Sequence, residues 1–153
     1  MDVTSIINND RFLNEFIELC ALEWGSVKST DLTQDFIESK IKKIHNGDKV
    51  ISVLGLIDND TMIGFISLFK YDGDERRDLS PWYATMYVKK EYRGKGYSRV
   101  LNDVILKEAS KLGYTKVYLK TDLVNYYEKF GAKYLEDLNN GERLYYFDLK
   151  KYL

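Results

Sequence analysis

Arg93-Gly94-Lys95-Gly96-Tyr97-Ser98 lies between two segments of different periodicity. Before it, Tyr83-Ala84-Thr85-Met86-Tyr87-Val88 is rich in aromatic and β-branched residues, which predicts a strand. After it, Val100, Leu101, Val104, Ile105, Ala109 and Leu112 recur at helical spacing and predict one apolar helix face. The six residues between are therefore a strand-to-helix turn containing two glycines, two cations and a serine.

Such a turn favours an anion. The first N–H groups of a helix have no intrahelical partner, and the helix dipole places about half a positive charge there. Gly94 and Gly96 carry no side chains to hold a phosphate away from those groups, and Arg93 and Lys95 add positive charge. The spacing excludes the two commonest phosphate loops. A P-loop needs four residues between its first Gly and Gly-Lys-Ser/Thr, and a dinucleotide fingerprint needs Gly where Arg99 stands.

The rest of the chain supplies alternating elements. Residues 3–7 predict a short strand, and Phe12, Phe16, Leu19 and Cys20 one face of a helix ending near Trp24-Gly25. Cys20 on that face reads as a small buried hydrophobe. Ser29-Thr30-Asp31 offers N-caps for a second helix carrying Leu32, Phe36, Ile37, Ile41 and Ile44, with His45 as a cation in its last turn. Residues 49–57 and 62–71 read as strands joined by Asp58-Asn59-Asp60-Thr61, a hairpin connection. The polar run Asp72-Gly73-Asp74-Glu75-Arg76-Arg77-Asp78 is a loop before the central strand. Downstream, residues 115–120 predict a strand and residues 122–132 a short helix stopped by Gly131. Residues 133–138 and 143–149 predict a closing hairpin around Asn139-Asn140-Gly141.

This order predicts an α+β fold, with a mixed, mainly antiparallel sheet flanked by helices. A chain of 153 residues is sized for a single domain, and 44% hydrophobic with 31% charged residues are globular values. A net charge of −1 without a basic bias argues against a nucleic-acid partner. One cysteine, no apolar run of membrane-spanning length and no signal-like start lead to the expectation of a cytoplasmic protein. The single histidine and the carboxylate spacings give no metal-site pattern, so no metal is expected.

Arg93, Gly96 and Ser98 follow the pattern Arg-x-x-Gly-x-Gly/Ala with Ser in the last place, and in this context the loop resembles the acyl-CoA pyrophosphate loop of the GNAT superfamily of N-acetyltransferases. Tyr127-Glu128-Lys129-Phe130-Gly131-Ala132 is similar to the family's Tyr-x-x-x-Gly-Phe segment, with Ala132 in place of Phe. The resemblance implies a cofactor, acetyl-CoA, acting as co-substrate. It implies that the backbone of Met86, Tyr87 and Val88 pairs with the pantetheine arm. The loop of Arg93, Gly94, Lys95, Gly96, Tyr97 and Ser98 would hold the pyrophosphate. Tyr127 matches the residue that protonates the departing thiolate. Asn125, close to Tyr127 in sequence, would be a contact to the pantetheine, while the family's usual Asn position, seven residues before the Tyr, is Lys120 here.

The expected activity is acetyl transfer to a primary amine. The rival reading is an acyl-CoA-binding or regulatory module that has kept the cofactor loop without turnover. Asp72, Asp74, Glu75 and Asp78 lie near the expected acceptor entrance, with Glu23 and Trp24 as further rim residues, and the sequence does not choose a base among them. Protein N-termini, lysine side chains, polyamines, aminoglycosides and small amino compounds all remain open as acceptors. The final hairpin offers a sheet edge for homodimerisation.

Overall fold

The computed structural model describes residues 1–152. Its frame is a 7-stranded sheet in the order β1-β2-β3-β4-β5-β7-β6. The strands are β1 (Asp2–Ser5), β2 (Val50–Asp58), β3 (Thr61–Phe69), β4 (Trp82–Val88), β5 (Lys116–Thr121), β6 (Lys133–Asp137) and β7 (Arg143–Asp148). Neighbours pair antiparallel except β4 and β5, which are parallel. The predicted mixed, mainly antiparallel α+β architecture is the one observed.

Helices cover both faces. On one face lie α1 (Asp10–Trp24) and α2 (Gln34–His45). Asn9 caps α1 by accepting from the Phe12 N–H at 3.1 Å, which starts the helix where Phe12, Leu13, Phe16 and Ile17 are all turned inward. Those side chains pack with Ile37, Ile44, Val53 and Phe65, the Phe16 ring meeting Phe65 edge-on at 4.8 Å. His45 ties the end of α2 to the first loop, its Nε2 donating to the Ile7 carbonyl at 2.9 Å. On the opposite face α3 (Tyr97–Lys111) lays Leu101, Ile105, Leu106 and Ala109 over Leu56, Ile63, Ile66, Val117 and Leu119.

Four local expectations are corrected. The first strand ends at Ser5, although Ile6 remains fully buried. The second helix begins later than the run Ser29-Thr30-Asp31. Asp31 spends its carboxylate on the Lys28 N–H at 2.9 Å, closing a separate 3-10 turn, and Thr33 caps α2 through the Phe36 N–H at 3.2 Å. Leu32 therefore precedes the helix. The apolar face of α3 is rotated from the one expected, because Val100 and Leu112 are exposed while Asn102 and Leu106 are buried. Finally, residues 122–132 contain only the 3-10 turn Tyr127–Phe130. Left-handed backbone at Asn125 (φ 60) and Gly131 (φ 99) bounds that turn and stops the helix from extending.

Two irregularities of β4 position the site. Its only pairing with β5 is at Trp82 and Tyr118, so from Tyr83 onward β4 is bonded on its β3 side alone. Within β4 the register against β3 jumps from Phe65↔Tyr87 to Ser67↔Ala84, leaving Thr85 and Met86 opposite one residue, Ile66. Thr85 carries the bulge at φ 45, a left-handed conformation that a β-branched residue rarely takes. Its hydroxyl is hydrogen-bonded to that of the fully buried Ser67, which also donates to the Ala84 carbonyl at 2.9 Å.

Candidate functional site

The free edge of β4 leads straight into the glycine turn. Gly94 (φ 79) and Gly96 (φ 86) both adopt left-handed backbone, and a Cβ on either would meet nothing within 4 Å. Glycine is required there by conformation, and the space above the loop is open. Gly96 is the N-cap of α3 and supplies no side-chain cap. Among the described residues, no protein group accepts from the N–H groups of residues 94–99. Unpartnered N–H groups at a helix start, beside open space, suit the oxygens of a phosphate or pyrophosphate.

The charged residues of the turn have distinct places. Arg93 folds back, its Nε donating to the Val88 carbonyl at 2.8 Å and its guanidinium lying 5.5 Å from the centre of the Tyr87 ring. It locks the loop to the end of β4 while keeping its charge at the turn. Lys95 is exposed beside Tyr92. Ser98 lies in the first turn of α3 and is half-buried. Arg99 covers the Phe130 ring at 5.0 Å, joining the start of α3 to the turn that holds Tyr127.

Tyr127 stands on the α3 side of the sheet. Its ring is edge-on to Tyr83 of β4, 5.8 Å between centroids, and to Tyr126 at 4.8 Å. The Tyr83 hydroxyl reaches Met86 Sδ at 3.2 Å, so Tyr83, Met86 and Tyr127 form one group beside the free edge. Ala132 is buried beneath the turn and donates its N–H to the Tyr127 carbonyl at 3.2 Å, which fixes the turn from below. Burial, with a smaller contribution from Tyr126, pushes the Tyr127 hydroxyl up to about 12, and burial holds that of Tyr83 well above its ordinary value. Both are neutral hydrogen-bond donors at physiological pH. Asn125 is exposed just before Tyr126, and Tyr87 points to the other face, stacked on Phe65 at 5.4 Å.

The expected acidic mouth is largely self-paired. Asp78 and Glu136 both bind Arg76, and Asp74 pairs with Arg77 at 3.2 Å. Asp72 is different: it is half-buried, and burial raises its carboxyl above the usual range against the opposing pull of Lys120 and Lys49. Trp24 does reach the β4 region, its ring 6.4 Å from that of Tyr87. The bulge at Thr85 is not legible in the sequence, because it depends on pairing with another strand and leaves no mark in its own segment. Among the described residues no group of three or more His, Cys, Asp or Glu side chains could hold a metal ion. Among the same residues no helix is long and apolar enough to cross a membrane.

The family model described as "Acetyltransferase (GNAT) family" matches residues 13–132. The fold is shared with an aminoglycoside 6'-N-acetyltransferase from Enterococcus faecium, at 17% identity and a TM-score of 0.67 over 97% of each chain. It is shared with an N-acetyltransferase from Staphylococcus aureus Mu50, at 17% identity and TM-score 0.70 over 98% of this chain and 100% of that one. The PaiA N-acetyltransferase from Thermoplasma acidophilum, solved in complex with coenzyme A, gives 20% identity and TM-score 0.62 over 96% and 98% of the two chains. No curated protein matches the sequence.

Proposed function

This chain belongs to the acetyltransferase (GNAT) family, and from that premise we propose that it transfers an acetyl group from acetyl-CoA to a primary amine by direct attack in a ternary complex. The observation that carries the reading is the free edge of β4 running into a glycine turn whose N–H groups have no protein acceptor among the described residues. The backbone of Met86, Tyr87 and Val88 would receive the pantetheine arm as an added strand. The N–H groups of the 93–98 loop would hold the pyrophosphate, with Arg93 and Lys95 adding charge, and Asn125 would contact the pantetheine arm.

Acetyl-CoA supplies a thioester whose carbonyl carbon takes the amine nitrogen: the C–N bond forms, the C–S bond breaks, and the amine proton balances the one gained by the thiolate. The protein's part is chiefly positioning, together with a donor for the departing sulfur. Tyr127 is that donor in this reading. Its raised value keeps the hydroxyl protonated, and its ring contacts with Tyr83 and Tyr126 hold it beside β4.

The test is a thermal unfolding scan with acetyl-CoA, followed by an amine screen for thiol release. At about 100 times Kd, linkage gives roughly 2.7 kcal/mol of stabilisation, a rise of about 5–10 °C for a domain of this size. A rise without thiol release would favour a binding module. No rise at millimolar acetyl-CoA would remove the cofactor assignment.

A further inference from the structure

The face of the sheet that carries α1 and α2 holds a cavity of about 510 Å³, large enough for a small molecule. Its walls are apolar, with Phe16, Phe36 and Phe69 prominent among them. At its floor lies Thr85, the bulged residue of β4. Thr85 directly precedes Met86, so the cavity and the free β4 edge meet through adjacent residues of one strand. Cys20, beside Thr85, is the other polar group at the floor, and burial keeps its thiol neutral.

The mouth has a different character. Lys40, Lys43 and Lys49 line it and are exposed, and none has an ion-pair partner among the described residues. Lys40 and Lys49 lie 5.5 Å and 5.0 Å from the ring centres of Phe36 and Phe69, which places their ammonium groups over the apolar walls. Asp48 is the single carboxylate among the lining residues, and it too is exposed. The cavity is therefore neutral at its floor, apolar in its middle and positive at its mouth.

We propose that this cavity receives the acceptor, and that the acceptor is a primary amine joined through an apolar segment to a carboxylate. The inference rests on the transfer reading above. The amine would lie at Thr85, next to the thioester, and the carboxylate among the lysines. Apolar walls disfavour an ammonium ion, so entry itself promotes the loss of the proton that attack requires. A polycation is disfavoured here, because its distal charges meet three lysines against the exposed Asp48 and, beyond the lining near Lys49, the half-buried Asp72.

The test compares three probes with one spacer: 6-aminohexanoate, hexylamine and 1,6-diaminohexane. Each is measured for binding by calorimetry and for acetyl-CoA-dependent thiol release. The expected order in both is carboxylate, then alkyl, then diamine, with about tenfold between the first and the last at low salt. The double variant Lys40→Gln/Lys43→Gln lowers the 6-aminohexanoate values about tenfold, with a smaller change for hexylamine. Its melting temperature and its shift with acetyl-CoA check that it is folded. A diamine bound as well as the carboxylate, or an equal loss for all three probes in the variant, overturns the proposal. Lysine-dependent binding of 6-aminohexanoate without thiol release would support the pocket and overturn the transfer reading. Thiol release to the diamine alone would do the reverse.

Discussion

The Tyr127 ring meets Tyr83 edge-on at 5.8 Å, so a turn after β5 is anchored to β4 where that strand parts from β5 inside the sheet. This contact is aromatic and needs no hydroxyl from Tyr127. Tyr127→Phe should therefore leave folding and acetyl-CoA affinity close to wild type while lowering kcat about 10²-fold, the lower end of the range for losing a positioned proton donor. Steady-state thiol release and calorimetric acetyl-CoA binding separate the two effects. Unchanged turnover would take Tyr127 out of the reaction.

The glycine turn was readable because its chemistry is local. Two glycines that need left-handed backbone, two cations and a following amphipathic helix are all consecutive in the chain. The hairpin at Asn59 and Asp60 was equally local, with φ of 47 and 68 at its two turn residues. What escaped depends on partners distant in sequence. The bulge at Thr85 exists only in the pairing with β3, and the rotation of α3 is set by the sheet beneath it. Asn102 shows the limit of pattern reading: it is a polar letter, yet it is buried, and its Oδ1 has no hydrogen-bond partner among the described residues. The lysines around the cavity are spread over α2 and the turn before β2, and they look like ordinary solvated charges until the fold brings them together.

At Gly96 backbone conformation and ligand space can be separated. A Cβ there meets nothing within 4 Å, but φ is 86, so Gly96→Ala should cost about 1 kcal/mol in stability through backbone strain. Gly96→Glu adds bulk and negative charge where the pyrophosphate would lie. It should show a similar loss of stability and no measurable acetyl-CoA binding, as judged by chemical denaturation and by the acetyl-CoA melting shift. Full binding by a folded Gly96→Glu protein would mean that the anion site lies elsewhere.

Thr85 combines a strained backbone with a buried hydroxyl pair. Thr85→Val keeps the shape and the strain but removes the hydrogen bond to Ser67, and a loss of about 1–2 kcal/mol is expected. Thr85→Gly also removes the hydroxyl but relieves the positive φ, and should be the more stable of the two. Both variants alter the cavity floor, so both should raise the KM for the amine more than that for acetyl-CoA. Denaturant midpoints and paired KM values check the ordering; a less stable glycine variant would show that the bulge carries no strain.

The raised Tyr127 hydroxyl makes a prediction at alkaline pH. Its value is about 12 in the folded protein and about 10 when the chain is unfolded. Between these values the unfolded state releases its proton first, so stability falls as pH rises. The contribution is fully present below pH 10 and is lost as pH approaches 12. Tyr83, also raised by burial, acts with the same sign. Replacing Tyr127 by Phe removes one of these two groups. Urea unfolding from pH 9 to pH 12 should show the variant losing less stability than wild type, by about 1–2 kcal/mol across the window. At pH 7, where both tyrosines are protonated in either state, the two proteins should differ little. Parallel stability curves would show that Tyr127 titrates in the folded protein as it does in an unfolded chain, and the burial assigned to its hydroxyl would then be wrong.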